Sequence, residues 1–188
     1  MKVTGLIFRR MYEERSEIMN MTVFTTERLC LKRLQPSDVL PLINLWCDPE
    51  VTRFMGGARD RAKLEVGFKQ DVKDPFAERY DLWPVTEKNS RKVVGHCGLL
   101  EKEVAGKSEI ELIYVFYHVV WGKGFATEIG KALIRHAFEI MNIDRLIALI
   151  EPANSASERV AVKIGMHFDK EIIRPGGLKR KVYVIIRN

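Results

Sequence analysis

Cysteine is scarce and badly placed for cross-links. Three occur in 188 residues, Cys30, Cys47 and Cys97, an odd number, widely separated and without a Cys-x-x-Cys pair. That argues against a disulfide framework and against a zinc site, and fits a reducing compartment, the cytoplasm. Cys47 and Cys97 stand in apolar runs, where a thiol serves as a small buried hydrophobe. Long apolar runs are missing too: no segment reaches the ~18 uninterrupted apolar residues of a membrane span. The opening Met1-Lys2-Val3-Thr4-Gly5-Leu6-Ile7-Phe8 is basic, but its apolar stretch stops at Arg9-Arg10, which makes a poor secretory signal. There is no internal repeat, low-complexity tract or linker that would split the chain.

What remains suits one globular domain with a real core: 46% of residues are hydrophobic and 30% charged. Residues 1–22 read as an appendage, with Met19 or Met21 as alternative starts, and residues 23–188 as the domain. The 31 basic residues exceed the 25 acidic ones by 6. Such an excess suits an anionic partner or ordinary solubilising charge. The cations are scattered rather than interleaved with aromatics, so direct nucleic-acid binding is not expected. The densest cluster, Lys179-Arg180-Lys181, borders a turn and could line a groove for a reaction partner.

The periodicity predicts a strand over Arg28–Leu34 and a helix from Pro36 to Trp46, stopped by Asp48-Pro49. A weaker helix over 61–72 follows, then strands over Tyr80–Thr86, Lys92–Glu101 and Glu109–Phe116. A long helix, a strand over Arg145–Ile150, a helix over Ser155–Ile164 and strands over Phe168–Ile173 and Val182–Ile186 complete the chain. Early strands with short linkers, then β-α-β-α-β, imply a mixed α/β sheet flanked by helices.

The most informative stretch is Trp121-Gly122-Lys123-Gly124-Phe125-Ala126-Thr127-Glu128, set between a strand and the long helix. Phe125, Ile129, Leu133, His136/Ala137 and Ile140 keep the helical period, leaving Glu128, Lys131, Arg135 and Glu139 outward. Glycines at a helix N-terminus place backbone N–H groups and the positive end of the helix dipole where an anion can reach them. Lys123 adds a cation. The spacing does not fit a Walker loop, since Gly124 follows Lys123, nor a dinucleotide fingerprint, since Thr127 stands where the third glycine belongs. A ligand-free strand-to-helix turn is the competing reading.

With these residues the chain resembles the GNAT superfamily of acetyltransferases, whose pyrophosphate signature Gln/Arg-x-x-Gly-x-Gly/Ala corresponds to Trp121–Ala126. Trp121 followed by Gly-Lys-Gly-Phe-Ala-Thr-Glu is similar to the RimJ/RimL branch of ribosomal-protein N-terminal acetyltransferases. So are Thr26-Glu27-Arg28-Leu29, Asp48-Pro49-Glu50-Val51, Asn142-Ile143-Asp144-Arg145-Leu146, Asn154-Ser155-Ala156-Ser157 and Lys163-Ile164-Gly165-Met166. The resemblance covers Val23 to the C-terminus. It implies a mostly antiparallel sheet of about seven strands with about four helices, splayed between the fourth and fifth strands. Acetyl-CoA is the implied cosubstrate, with no metal.

The resemblance also implies roles. Amides of Gly122, Lys123, Gly124, Phe125 and Ala126 hold the pyrophosphate, with Trp121 and Thr127 flanking them. Backbone at Tyr114, Val115 and Phe116 pairs with the pantetheine arm, and an N–H near Tyr114 polarises the thioester carbonyl. Asn154 and Ser157 meet the same arm, although Asn154 or Ser155 also reads as an N-cap and Ser155-x-x-Glu158 as a capping box. Arg159 and Lys163 read as solvated helix charges within reach of the nucleotide.

Glu111 matches the glutamate of the branch's Glu-x-Gly-Tyr motif and is the candidate base; a surface strand carboxylate is its other reading. Ile113 replaces the glycine of that motif, and Ala161 replaces a tyrosine acid common in the superfamily. Thiolate protonation then falls to water or another side chain, with Tyr114 and Tyr117 as candidates. His118 receives no role. The implied acceptor is a protein N-terminal α-amine, with a small amine (polyamine, aminoglycoside or amino-acid-like) or a non-catalytic acyl-CoA-binding module as alternatives. Monomer and homodimer are both compatible.

Overall fold

The computed structural model describes residues 21–187. The appendage expected over residues 1–22 therefore lies, apart from Met21 and Thr22, outside the described residues. Eight strands form one sheet: β1 (Thr22–Thr25), β2 (Leu29–Lys32), β3 (Leu82–Glu87), β4 (Val93–Val104), β5 (Lys107–Phe116), β6 (Arg145–Ile150), β7 (His167–Arg174) and β8 (Leu178–Ile186). Their order is β1-β2-β3-β4-β5-β6-β8-β7. Every neighbouring pair is antiparallel except β5–β6, which runs parallel and touches in register at one pair, Glu111 with Ile147. Beyond that pair the two strands part.

Five α-helices cover the sheet: α1 (Pro36–Cys47), α2 (Pro49–Thr52), α3 (Arg61–Asp71), α4 (Phe125–Arg135) and α5 (Ser155–Lys163). Leu42, Ile43, Leu45 and Trp46 of α1 pack with Val51, Phe68 and Val115 in one buried cluster. Phe125, Ile129 and Leu133 of α4 and Ala161 of α5 pack with Leu112, Phe116 and Leu146 in another. The two clusters lie on opposite faces, because neighbouring strand residues such as Val115 and Phe116 point opposite ways.

Local chemistry places these elements. Pro36 opens α1, and the buried Asp38 accepts the Gln35 amide at 3.0 Å and the Lys32 ammonium at 2.7 Å. Asp48 ends α1 and caps α2, its carboxylate accepting the Glu50 amide at 2.9 Å. Cys97 is buried, and Cys30 and Cys47 are half-buried; none is cross-linked.

Three expectations need correction. The short edge strand β1 was not foreseen: Thr22-Val23-Phe24-Thr25 is too brief to show alternation, and its partly buried residues give no apolar run. The splay falls between the two strands expected, Lys107–Phe116 and Arg145–Ile150, which β1 renumbers as the fifth and sixth. Ile140 is exposed instead of inward, because the chain winds as a π-turn over His136–Ile140 and shifts the phase of the period. Glu128 is not outward either; its side chain is only 17% exposed.

Candidate active site

β5 leads through a 3-10 turn at His118–Val120 into the glycine turn and α4. Gly122 and Gly124 have φ of +77° and +81°, the left-handed region that glycine enters without a Cβ clash. Gly124 is the N-cap of α4, and no side chain caps this end. The Glu128 amide is the first to find a helical acceptor, the Gly124 carbonyl at 3.0 Å. The amides of Phe125, Ala126 and Thr127 therefore stand without helical partners at the positive end of the dipole.

Alternation along the β4–β5 ladder decides which backbone groups face the parted strands. Tyr117 spends its N–H on the Val94 carbonyl at 3.0 Å, and Val115 pairs with His96 two residues earlier. The backbone groups of Leu112, Tyr114 and Phe116 therefore turn away from β4, toward β6. One of them is taken: the Trp121 indole donates to the Phe116 carbonyl at 2.8 Å.

The gap is a cavity of about 370 Å³. Glu50, Arg53, Phe54, Met55, Glu111 and Ile113 line it on the α1–α3 face. Tyr114, Phe125, Asn154, Ser157, Arg159 and Lys163 line it on the other, so the cleft passes through the sheet. Of the residues singled out in the sequence, Glu111, Tyr114, Val115, Phe116, Trp121, Gly122, Gly124, Phe125, Ala126, Thr127, Asn154 and Ser157 all border this one cavity. Lys123 does not; its carbonyl is turned to Arg28 at 2.9 Å.

The acetyltransferase (GNAT) domain pattern matches residues 28–167 of the chain. The chain belongs to the GNAT acetyltransferase family. The acetyltransferase is 31% identical over 162 residues to the uncharacterized N-acetyltransferase p20 of Bacillus licheniformis, covering 80% of this chain and 84% of that one. Its fold matches the acetyltransferase from Agrobacterium tumefaciens C58 with a TM-score of 0.73 at 25% identity, over 88% of this chain and 94% of the other. It also matches the Vibrio cholerae spermidine N-acetyltransferase in complex with CoA and spermine (TM-score 0.70, 16% identity, 85% and 95% covered). The Vibrio fischeri ribosomal-protein-S5-alanine acetyltransferase matches alike (0.69, 17%, 87% and 95%).

In this GNAT acetyltransferase Glu111 is 9% exposed. Burial pushes its carboxyl above the usual range, against the charges of Lys102, Arg174 and Arg180 and a hydrogen bond from the Leu149 amide. Such a carboxylate is not a solvated strand residue. The Tyr114 hydroxyl donates to the Ser157 carbonyl at 3.0 Å, and the Tyr117 hydroxyl donates to the Pro41 carbonyl. Burial raises both phenols, so they keep their protons.

Asn154 is the N-cap of α5, its side chain accepting the Ser157 amide at 3.1 Å. Ser155 and Glu158 form no capping box: Glu158 instead accepts from Lys181 at 2.6 Å and from the Tyr183 hydroxyl at 3.2 Å. Arg180 lies 3.5 Å from Glu151. Two of the three cations in the Lys179–Lys181 cluster are thus engaged with carboxylates, and none of the three borders the cavity. The cluster does not line the groove expected of it.

His118 lies 3.7 Å from Asp48 and 4.0 Å from Glu50. Glu50 and Arg53 escaped the sequence reading as cavity residues. Asp48-Pro49 was legible as the end of α1, but nothing local said that α2 and the chain after it would cover the parting strands. Among the described residues no His, Cys, Asp and Glu group could hold a metal, and no helix is long and apolar enough to cross a membrane.

Proposed function

We propose that this enzyme transfers the acetyl group of acetyl-CoA directly to a primary amine, most simply the α-amine of a protein N-terminus, as a RimJ/RimL-like member of the family. The observation that carries this is the uncapped N-terminus of α4, with two left-handed glycines, opening on a cleft between two parted parallel strands. The residues present fit the cosubstrate. Unpartnered amides of Phe125, Ala126 and Thr127 suit a pyrophosphate, and the β6-facing backbone of Tyr114 suits an extended amide-bearing arm.

Acetyl-CoA, when bound, supplies a thioester activated toward amines. The protein's part is positioning and proton handling. The Tyr114 N–H, turned toward the parted strands, is set to donate to a carbonyl oxygen that gains charge. Glu111, on the α1–α3 face, takes the proton of an incoming ammonium directly or through one water. Its raised pKa brings it nearer the working pH, which favours a base that must also release its proton. Both nearby tyrosines hold carbonyls, so we assign protonation of the departing sulfur to water and give Tyr114 a bracing role. Free thiols and the reducing chemistry they suit support a cytoplasmic setting.

A second reading is a small polycationic amine, favoured by Glu50 at the acceptor side of the cleft. The Vibrio cholerae spermidine enzyme shares the fold, and so does the ribosomal-protein enzyme, so the fold alone favours neither. Thiol release from acetyl-CoA, measured across N-terminal peptides, polyamines and aminoglycosides, tests both. Release with peptides supports the first reading, release with polyamines alone the second, and release with none of the acceptors opposes both.

A further inference from the structure

Glu128 sits in the first turn of α4 yet reaches back to the β1–β2 turn, roughly a hundred residues away in sequence. Its Oε1 accepts from the Thr26 hydroxyl at 2.6 Å and the Arg28 amide at 2.9 Å, and its Oε2 accepts from the Arg28 Nε at 2.6 Å. The same guanidinium lies 4.7 Å over the Phe125 ring and donates through another nitrogen to the Lys123 carbonyl at 2.9 Å. One planar cation thus joins the first helical turn to the glycine turn. An exposed ion pair alone contributes little. Here the carboxylate holds three donors, and the fork geometry of arginine makes the arrangement directional.

Peptide geometry says what this does to the turn. A trans peptide points its carbonyl and the following N–H in opposite directions. Fixing the Lys123 carbonyl on Arg28 therefore aims the Gly124 N–H to the other side. Gly122 and Gly124 border the cavity and Lys123 does not, so the other side is the cavity. Rotation of the 123–124 peptide would instead swing a carbonyl oxygen toward a bound phosphate. That rotation turns about the Lys123 Cα–C bond and the Gly124 N–Cα bond, and the glycine offers little steric resistance to it, so the restraint has to come from outside the turn.

We propose that Arg28, held by a Glu128 that Thr26 fixes in turn, is a positioning residue that presets the glycine turn for the pyrophosphate of the acyl donor. The inference rests on the acetyl-CoA reading of that turn. Burial alone would raise the Glu128 carboxyl, but the Thr26 hydroxyl and the Arg28 amide and guanidinium outweigh it and hold it below the usual range. The carboxylate is therefore charged, and the bracket closed, at neutral pH.

The test compares two acyl donors, acetyl-CoA and S-acetylpantetheine, which lacks every phosphate. In Arg28→Ala, kcat/KM for acetyl-CoA falls about tenfold or more while that for S-acetylpantetheine stays within about twofold, the size expected for a lost charge-assisted contact. Arg28→Lys loses nearly as much, because one ammonium cannot replace the fork that spans Glu128 and the Lys123 carbonyl. Glu128→Gln shows the same donor-selective pattern and carries the test if Arg28→Ala fails to fold. An equal fall with both donors makes the bracket a support of the fold only and overturns the proposal, as does no fall with either. If the unaltered protein neither binds nor uses acetyl-CoA, the reading beneath the proposal fails first, before any variant is compared.

Discussion

The Tyr114 hydroxyl donates to the Ser157 carbonyl across the cleft, at 3.0 Å, tying the parting strand β5 to the first turn of α5. A phenol so engaged braces the gap in which the pantetheine arm is proposed to lie, and its proton is already spent. Tyr114→Phe is therefore expected to lower stability by about 1 kcal/mol, the net value of one such bond, and to leave kcat within about tenfold. Denaturant melts and steady-state kinetics check this. A hundredfold loss of kcat in a variant that melts normally would assign the proton transfer to Tyr114.

Glu111→Gln keeps the shape of the side chain and its hydrogen bond from Leu149 but cannot take a proton. Turnover is expected to fall by roughly 10²–10⁴-fold with acetyl-CoA affinity nearly unchanged. Because burial raises its pKa, the rate of the unaltered enzyme should climb with pH through a value above the ordinary carboxylate range. Turnover that survives the substitution removes Glu111 from the mechanism and leaves it as the cap of the Leu149 amide.

The glycine turn can be tested for charge separately from strain. A Cβ added to Gly122 meets nothing within 4 Å, although its φ is +77°. Gly122→Asp and Gly122→Asn share that backbone cost, about 1 kcal/mol or more, and differ in one charge. Acetyl-CoA at 100 times its Kd should stabilise the unaltered protein by about 2.7 kcal/mol. The shift is expected to vanish in the Asp variant and to persist, reduced, in the Asn variant. Equal loss in both would make backbone strain, not anion binding, the reason for glycine.

Much of this site was legible because its parts are local. Glycines before an amphipathic helix specify an anion-ready terminus within eight residues, and Asn154 specifies its cap within four. What escaped depends on chain segments far apart. The Glu128 side chain follows helical spacing and looks solvent-facing; only the arrival of Thr26 and Arg28 from the other end of the domain buries it. The Lys179–Lys181 cluster looked free to meet a substrate until folding brought Glu151 and Glu158 beside it. The same limit hid β1, whose four residues acquire meaning only against β2.

His96 predicts an acid-sensitive interior. Its Nε2 donates to the Leu82 carbonyl at 2.9 Å, which leaves Nδ1 to accept the Trp46 indole at 3.0 Å. Burial lowers its pKa from 6.5 to about 4, despite the Leu82 carbonyl. The depressed value means that the neutral ring contributes stability above pH 6.5, lost as pH falls toward 4. The loss should reach about 3 kcal/mol. Asp81, raised to about 6 by burial, works the opposite way over the same range, so the contrast with a variant is the informative quantity. His96→Leu is expected to be less stable at pH 7 but to show a flatter decline between pH 6.5 and 4.5 in denaturant melts. Parallel pH curves for the two proteins would place the acid sensitivity elsewhere.

The acceptor prediction follows from what the cleft offers an amine. Its best base is one buried carboxylate, Ala161 stands where the superfamily often has an acid, and both nearby tyrosines hold carbonyls. Such a site suits an amine that is already partly neutral. At pH 7.5 about a third of an α-amine is neutral, but only about a thousandth of a lysine amine. That difference corresponds to roughly 3–4 kcal/mol of barrier if the enzyme does nothing to offset it. A peptide with a free N-terminus is therefore expected to outcompete the same peptide blocked there but bearing a lysine. The engaged cations of the β8 cluster offer an acidic peptide little, so added salt should change the rate only modestly. A blocked, lysine-bearing peptide that reacts as fast as the free one would overturn the preference. Reaction with a polyamine and with neither peptide would move the assignment to Glu50 as a recognition group for a small polycation.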